Sequence, residues 1–431
     1  MVSCGYIFSY IFYSIIFGAV IGKLMIFLIH TPIDQWKRIW FSMSSLQKIV
    51  ILFILFLALN SINEIIYFQS INYYVRILLI YVIPLAFFSL FSEKFDIRTA
   101  VGIVSISGLL VGIETIYELL MVHPTRYEVL NFEYVKHVSG KELFQFITGI
   151  RPTGLIEHLH ATGFVIGVSF VCGTLMFLYS KEKNTKYLYF IVSLILFASM
   201  ISNGTRLLLV GLALMWVLLY FFDKNNRVPL YVHLLFLFLT FFSLYQITKE
   251  NNCFWYSTYF QYPIKVIAHL FPTQITLNLL AYSNTFAAGN DSLVAMFGEG
   301  YDLTSPFNLL NMLAKLSIAN IIFGTGLGKV APYVGVDDDH LFFTQFICQL
   351  GVLGTMIFIA LFITMFFLAY RSLRDSTLHS EIEPKLLLAF LILLFFSLLH
   401  SGVLMRKACW MLFCFAVSVA LRLDNRGSEP P

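Results

Sequence analysis

Long apolar stretches alternate with short polar ones along nearly the whole chain. A helix needs about 20 apolar residues to cross the hydrocarbon core of a bilayer, and by that measure the chain has about eleven spans. Backbone polar groups in lipid have no partner outside their own segment, so each span is predicted to be an α-helix. The approximate ranges are 5–29, 48–69, 72–92, 99–122, 154–179, 186–202, 206–222, 229–247, 341–370, 385–401 and 405–422.

The composition supports the same class of protein. Of the 431 residues, 59% are hydrophobic and only 12% are charged, and the mean hydropathy is +0.81. Soluble domains carry about twice that charged fraction. The predicted fold class is all-α, a polytopic integral membrane protein with about 11 (10–12) transmembrane helices. The net charge of +4 says little about partners, because positive charge at cytoplasmic loops is expected in any membrane protein. No nucleic-acid partner is expected.

Basic residues on alternate loops predict how the spans are oriented. The positive-inside rule assigns these loops to the cytoplasm. The loops 123–153, 203–205, 248–340 and 402–404 then lie on the other side, which in a bacterium is the periplasm. With residues 5–29 as a single span, the N-terminus is also outside. The residues that set this orientation are Lys37, Arg38, Lys94, Arg98, Lys181, Lys183, Lys186, Lys224, Arg227, Arg371, Arg374, Arg422 and Arg426.

This pattern divides the chain into three regions. Residues 1–247 hold about eight spans, residues 248–340 form one large periplasmic loop, and residues 341–431 hold the last spans and a short cytoplasmic tail. The large loop is rich in aromatic residues, and Pro306 to Ile322 has apolar positions at helical spacing. We therefore expect a small folded subdomain with short helices there. The first apolar run is too long for a cleavable signal.

The cysteines indicate packing and not metal binding. None of the six has the paired spacing of a zinc site, and four lie in or beside apolar runs. Outer loop 123–153 is basic on the side where basic residues are disfavoured, which indicates an anionic partner outside the cytoplasm.

Two arginines next to spans are candidate anion ligands. Arg206 lies between two spans with almost no loop, and Arg151 precedes the fifth span in a turn set by Pro152 and Gly154. Arginine near hydrocarbon is costly and usually faces a cavity, and its planar fork matches phosphate oxygens. The alternative for Arg206 is that it reaches from a helix end to the lipid headgroups. His160, with His158, follows Arg151, either as a substrate contact or as a polar group at the headgroups.

His340 is the candidate general base, because an imidazole takes up a proton near neutral pH. Asp337, Asp338 and Asp339 precede it and would raise its basicity. Three alternatives remain open: Asp339 caps the following helix, Asp337 and Asp339 hold a divalent metal ion, or His340 is purely structural.

Other charged groups within the predicted spans are also consistent with a transporter. Glu64 and Arg76 can pair across neighbouring helices, and Glu114 and Glu118 lie one helical turn apart. An inverted repeat, which often accompanies transport, is not evident in the sequence.

The chain resembles the bacterial O-antigen ligase and O-antigen polymerase superfamily, which are membrane glycosyltransferases of the GT-C type. Four ordered stretches within residues 140–420 carry this resemblance: RPTGLIEHLHATG, SNGTRLLLVG, FGTGLG and HLFFTQFICQLGVLG.

The resemblance implies a donor glycan on undecaprenyl diphosphate at the outer leaflet of the inner membrane. It assigns the diphosphate to Arg206 and Arg151 and deprotonation of the acceptor hydroxyl to His340. It requires no metal or other cofactor, and it implies membrane lipids, a chain-length regulator and a flippase as partners in lipopolysaccharide biosynthesis.

One departure favours the polymerase branch. Ligases carry a further arginine before the glycine turn, where this chain has Asn308, with Lys315 further along. Lys315 can supply a point charge but not a bidentate fork. We therefore expect a polymerase of lipid-linked repeat units. The alternative is a ligase that transfers the finished glycan to lipid A–core, and from a different class a transporter of lipid-linked oligosaccharides or small molecules.

Overall fold

The computed structural model describes residues 2–63, 71–121, 159–203, 206–222, 235, 316–327, 342–374, 382–398 and 406–428. Within these ranges the regular structure is entirely helical, which confirms the predicted all-α class for this part of the chain. The α-helices are α1 (Val2–His30), α2 (Ile33–Ser42), α3 (Ser45–Asn60), α4 (Ile71–Ile77), α5 (Ile83–Leu90), α6 (Ile97–Met121), α7 (Leu159–Tyr179), α8 (Lys183–Asn203), α9 (Arg206–Phe222), α10 (Ile318–Phe323), α11 (Phe342–Arg374), α12 (Ile382–Leu398) and α13 (Lys407–Ser428).

Several of these helices have the length and composition of membrane spans. Among the described residues, four segments qualify: Ile97–Ile116, Ala161–Tyr179, Phe346–Arg374 and Lys407–Arg426. The pair Gln35–Ser42 and Ser45–Asn60, bent by 115°, would make a fifth if it is one broken span. The chain is thus a helical membrane protein, and the total of about eleven spans stays a prediction. The span predicted at 229–247 lies outside the described residues except for Leu235.

Contacts between helix termini define two ends of the helical bundle. At one end, Glu383 of α12 pairs with Arg422 (Nε to Oε1, 3.0 Å) and Arg426 (Nη1 to Oε2, 2.8 Å) near the end of α13. Asn425 of α13 accepts a hydrogen bond from Gln47 near the start of α3 (3.0 Å). The start of α3, the start of α12 and the end of α13 therefore lie together. We call this the Glu383 end.

The opposite end contains residues 323–327, the described part of the FGTGLG turn, and we call it the glycine-turn end. Asn60, the last residue of α3, donates to the carbonyl of Phe323 (2.5 Å). Cys409 near the start of α13 lies 3.8 Å (Sγ to O) from the carbonyl of Ala161 near the start of α7. The end of α3 and the starts of α7 and α13 therefore share this end.

Helices α6, α7 and α8 pack through small residues. Gly108 of α6 lies so close to Ser169 of α7 that a Cβ on the glycine would be 1.9 Å from the serine Oγ. Ser169 also donates to the carbonyl of Val104 (3.0 Å). Small side chains allow two helix backbones to approach closely. This close packing matters in a bilayer, because the hydrophobic effect does not drive helices together in lipid.

The order of these contacts gives the helix directions. In the contacts between α6 and α8, the residue numbers increase together, so these two helices are parallel. In the contacts between α6 and α7, the residue numbers change in opposite order, so these two helices are antiparallel. The end of α8 therefore lies beside the start of α7. Only residues 204 and 205 separate the end of α8 from the start of α9, which therefore begins at the glycine-turn end as well. The contacting pairs are Gly102 with Tyr189, Gly112 with Ser199, Gly108 with Ser169, and Gly173 with Ser105.

The centre of the bundle is α12, which is buried along almost its whole length. Even Lys385 is fully buried. Its ammonium donates to the hydroxyl of Tyr179 on α7 and lies 4.6 Å from the centroid of that ring. A buried cation is tolerated when a hydrogen-bond acceptor and an aromatic face replace its water.

Candidate functional site

The glycine turn follows the short helix α10 and reverses the chain against α11. Ser317 caps α10 by accepting a hydrogen bond from the backbone N–H of Asn320 (3.2 Å). The helix ends at Gly324, whose φ of 82° lies in the left-handed region that favours glycine. The backbone N–H groups of Thr325 and Gly326 then donate to the carbonyls of Cys348 (2.8 Å) and Gln349 (3.1 Å) of α11. The turn is therefore docked onto the start of a predicted membrane span.

Helix α11 is interrupted where the glycine turn contacts it. The sequence predicts one continuous span from 341 to 370, but Gly351 has φ 67° and ψ 179°. A Cβ at Gly351 would lie 2.3 Å from the carbonyl oxygen of Ile322, and one at Gly324 would lie 2.1 Å from that of Gln349. Two backbones thus meet at distances that only glycine permits. Irregular backbone at membrane depth persists where protein groups satisfy its hydrogen bonds.

Two asparagines at the end of α3 hold this junction from the other side. Asn60 Nδ2 donates to the carbonyls of both Phe323 (2.5 Å) and Gln349 (3.1 Å), so it bridges the turn and the broken helix. Asn63 Nδ2 donates to the carbonyl of Gly324 (2.9 Å). Asn60 is only 4% exposed. The N-terminal helices are therefore joined to the glycine turn by side-chain hydrogen bonds that the sequence analysis did not identify.

The segment that carries the predicted base follows the glycine turn in the chain. The described chain stops at Leu327, directly after the docked turn, and resumes at Phe342, six residues before Cys348. Asp337, Asp339 and His340 belong to that segment and lie outside the described residues, as do Arg151 and Lys315. Of the helix predicted within 306–322, the described part is Ile318–Phe323.

Two predicted site residues lie at the first turns of helices that start at the glycine-turn end. Arg206 is the first residue of α9, and His160 is the second residue of α7. Their side chains are not among the described ones, so only these backbone positions are established. The start of α9, the start of α7 and the glycine turn share one end of the bundle.

A cationic cluster at the same end was not predicted. Arg76 of α4, Arg406 and Lys407 of α13 are exposed. They lie within about one and a half helical turns of Tyr81 and Trp410, whose ring centroids are 5.3 Å apart. Within the described ranges, no carboxylate forms an ion pair with these three cations. The sequence allows Arg76 to pair with Glu64, which lies outside the described residues, and its hydrophobic pattern includes Arg406 and Lys407 in the predicted span 405–422. In the sequence, this cluster is indicated by Arg406 and Lys407, two basic residues next to the predicted outer loop 402–404.

One described cavity lies at the Glu383 end, away from the predicted site. Its volume is about 250 Å³, and its lining includes Arg98, Tyr179, Lys181 and Ile382. In the described part of the chain, no group of three His, Cys, Asp or Glu side chains is placed to hold a metal ion. Cys172, Cys348, Cys409 and Cys414 are buried free thiols, which confirms their interpretation as packing residues.

No family model matches the sequence, and no curated protein matches it. Fold and site together define a class, a helical membrane protein with a glycine-built polar junction at one end.

Proposed function

We propose that the protein is a bacterial surface-polysaccharide polymerase of the O-antigen type. It transfers a growing glycan from undecaprenyl diphosphate to the next lipid-linked repeat unit at the periplasmic face of the inner membrane. The observation that carries the proposal is a convergence. The helix start with Arg206, the helix start with His160 and the glycine turn that precedes the segment containing His340 lie at one end of the bundle.

The chemistry follows from the charges of the reaction. The acceptor hydroxyl oxygen forms a bond to the anomeric carbon while the bond from that carbon to the phosphate oxygen breaks. His340 takes the hydroxyl proton, with Asp337 and Asp339 as supporting carboxylates. Undecaprenyl diphosphate leaves with the bonding electrons, and Arg206 and Arg151 stabilise its negative charge. Lys315 is a further candidate for that charge.

The helix-end position suits both parts of the substrate. A site at the ends of membrane spans holds the polyprenyl chain in lipid and the sugars in water. The growing glycan stays on the lipid carrier, so the partners of this reaction are a flippase that delivers repeat units and a regulator of chain length.

The test is polymer growth by the full-length protein with purified lipid-linked repeat units. The wild type is expected to lengthen the glycan on undecaprenyl diphosphate, and His340→Ala is expected to reduce the rate by about a hundredfold or more, as for loss of a general base. Wild-type rates in His340→Ala would refute the assignment of the base.

The same assay separates the alternatives. Transfer of the glycan only to lipid A–core would identify a ligase. In cells, accumulation of repeat units on the cytoplasmic side in the His340→Ala strain would indicate a transporter and would overturn the enzyme proposal.

A further inference from the structure

Three exposed cations from two distant segments lie at the glycine-turn end. We propose that Arg76, Arg406 and Lys407 form a binding site for the phosphate group of a membrane lipid. None of these residues belongs to the set assigned to glycosyl transfer. The inference does not rest on the proposed function, because it requires only a phosphate-bearing lipid at this end of the bundle.

The cluster is assembled by packing of α4 and its continuation against α13. Trp410 of α13 packs edge-on against Tyr81, with ring centroids 5.3 Å apart, and its indole N–H donates to the Tyr81 carbonyl (2.8 Å). Further along the same helix pair, Phe88 packs against Phe415. The two helices therefore run side by side in the same direction. Arg76 precedes Tyr81 by little more than one helical turn, and Lys407 precedes Trp410 by about one.

A local irregularity marks this contact. Leu78–Val82, between Arg76 and α5, is a π-helical segment. Such segments are rare and often occur at functional sites. The segment contains Tyr81, whose carbonyl accepts the bond from Trp410, so the irregular turn itself is the point of attachment between the two cation-bearing helices.

The charges of the cluster favour an anion. Like charges on Arg76, Arg406 and Lys407 repel each other, and no carboxylate in the described ranges forms an ion pair with them. A phosphate group offsets this repulsion and accepts hydrogen bonds from both guanidinium forks, while Lys407 adds a point charge. By contrast, Arg422 and Arg426 at the Glu383 end share the carboxylate of Glu383.

The surroundings favour a lipid over a free phosphate ion. Ile71 and Val75, which precede Arg76 on the same helix, are 65% and 44% exposed. Exposed apolar side chains on a membrane helix present a surface to acyl chains, and cations at the helix ends lie at headgroup level. Two sources supply a phosphate at that level: an anionic glycerophospholipid and a polyprenyl diphosphate.

The experiment measures lipid retention by the full-length protein. Purified wild type is titrated with phosphatidylglycerol and, separately, with a short-chain polyprenyl diphosphate, and bound lipid is counted by native mass spectrometry. The double variant Arg76→Gln/Arg406→Gln is expected to bind at least about tenfold more weakly, as for loss of charge-assisted hydrogen bonds. The matched control is Arg371→Gln/Arg374→Gln, which removes two exposed arginines at the Glu383 end and is expected to bind as wild type.

The two titrations identify the source of the phosphate. Weakening for both lipids supports a general headgroup site, and weakening for the diphosphate alone supports a carrier site. Equal binding by wild type and double variant overturns the proposal. Equal loss in both double variants also overturns it. Thermal melts show whether each variant is folded. Lipid binding that is retained in an inactive His340→Ala protein would show that this site is distinct from the site of glycosyl transfer.

Discussion

Two glycines decide the geometry of the candidate site at the level of single atoms. Gly324 and Gly351 have φ angles of 82° and 67°, and each faces a backbone carbonyl of the opposite segment. A side chain at either position would need both a disfavoured backbone conformation and a displaced carbonyl. The contact between the turn and the broken helix therefore depends on the absence of two Cβ atoms.

Gly351→Ala is expected to destabilise the protein by about 2 kcal/mol or more, because backbone strain and overpacking add. The matched control is Gly22→Ala in α1, where a Cβ would meet nothing within 4 Å. Alanine there is expected to leave the melting temperature unchanged or to raise it slightly. Thermal unfolding of the two purified variants measures both effects. A melting temperature of Gly351→Ala equal to that of the wild type would contradict the described junction.

At the scale of elements, helices are fastened to each other by polar contacts at their ends. Glu383 joins α12 to α13 through two arginines, and Asn425 of α13 donates to Glu93 (2.8 Å) in the short 3₁₀ segment Ser92–Lys94. The side chain of Glu383 is only 6% exposed. Its removal would leave two guanidinium groups without their carboxylate.

Glu383→Ala is expected to lower the free energy of unfolding by about 3 kcal/mol, the usual cost of breaking a largely buried ion pair. Glu182→Gln at the same end is the control, since that exposed side chain keeps an acceptor for the Thr185 hydroxyl and the change should cost less than about 0.5 kcal/mol. Thermal or denaturant unfolding compares them, and similar effects of the two changes would show that the Glu383 pairs add no stability.

The start of α6 gives a pH-dependent contribution. Asp96 precedes this helix, accepts hydrogen bonds from the Thr99 hydroxyl (2.5 Å) and the Arg98 N–H (3.2 Å), and these bonds lower the pKa of its carboxyl below 3.8. A lowered folded-state pKa stabilises the protein above the unfolded pKa, and that contribution is lost as the pH falls through the folded value.

We therefore expect Asp96→Ala to melt below wild type at neutral pH, with the difference shrinking as the pH falls below about 3.8. Asp96→Asn keeps a capping side chain without a titrating group, so its difference from Asp96→Ala should not depend on pH. Melting temperatures between about pH 3 and 7 make the comparison. A constant gap between wild type and Asp96→Ala would contradict the assigned hydrogen bonds.

At the scale of the whole molecule, the two ends of the bundle differ in how their cations are held. Three cations at the Glu383 end have partners on neighbouring helices: a carboxylate for Arg422 and Arg426, and a tyrosine hydroxyl for Lys385. At the glycine-turn end, Arg76, Arg406 and Lys407 have no carboxylate partner within the described ranges. An anionic substrate or lipid is therefore expected at the glycine-turn end.

Arg206→Lys tests that expectation for the proposed reaction. A lysine supplies the charge but not the bidentate fork, so the rate of polymer growth is expected to fall by about tenfold or more. Arg374→Lys at the Glu383 end is the matched control and should retain the wild-type rate. Full activity of Arg206→Lys would indicate that this residue only extends to the headgroups and does not bind a diphosphate.

The hydrophobic pattern located several helices to within a few residues. The predicted span 206–222 coincides with Arg206–Phe222, and 99–122 corresponds to Ile97–Met121. The break at Gly351 could not be read from LGVLG, because glycine is common inside membrane helices. Whether that glycine is helical depends on Ile322 and Gly324, which come from another part of the chain. Arg76 and Arg406 likewise become neighbours only when α4 and α13 pack together.

The sequence by itself determined that this is a helical membrane protein, since the length and polarity of each apolar stretch are local properties that lipid converts directly into helices. It also pointed to the glycine turn, Arg206 and His340. The tertiary structure alone decided which helix ends share a side, where α11 breaks and which cations meet. These features depend on contacts between residues far apart in the chain, and the hydrophobic pattern carries no information about which helices become neighbours.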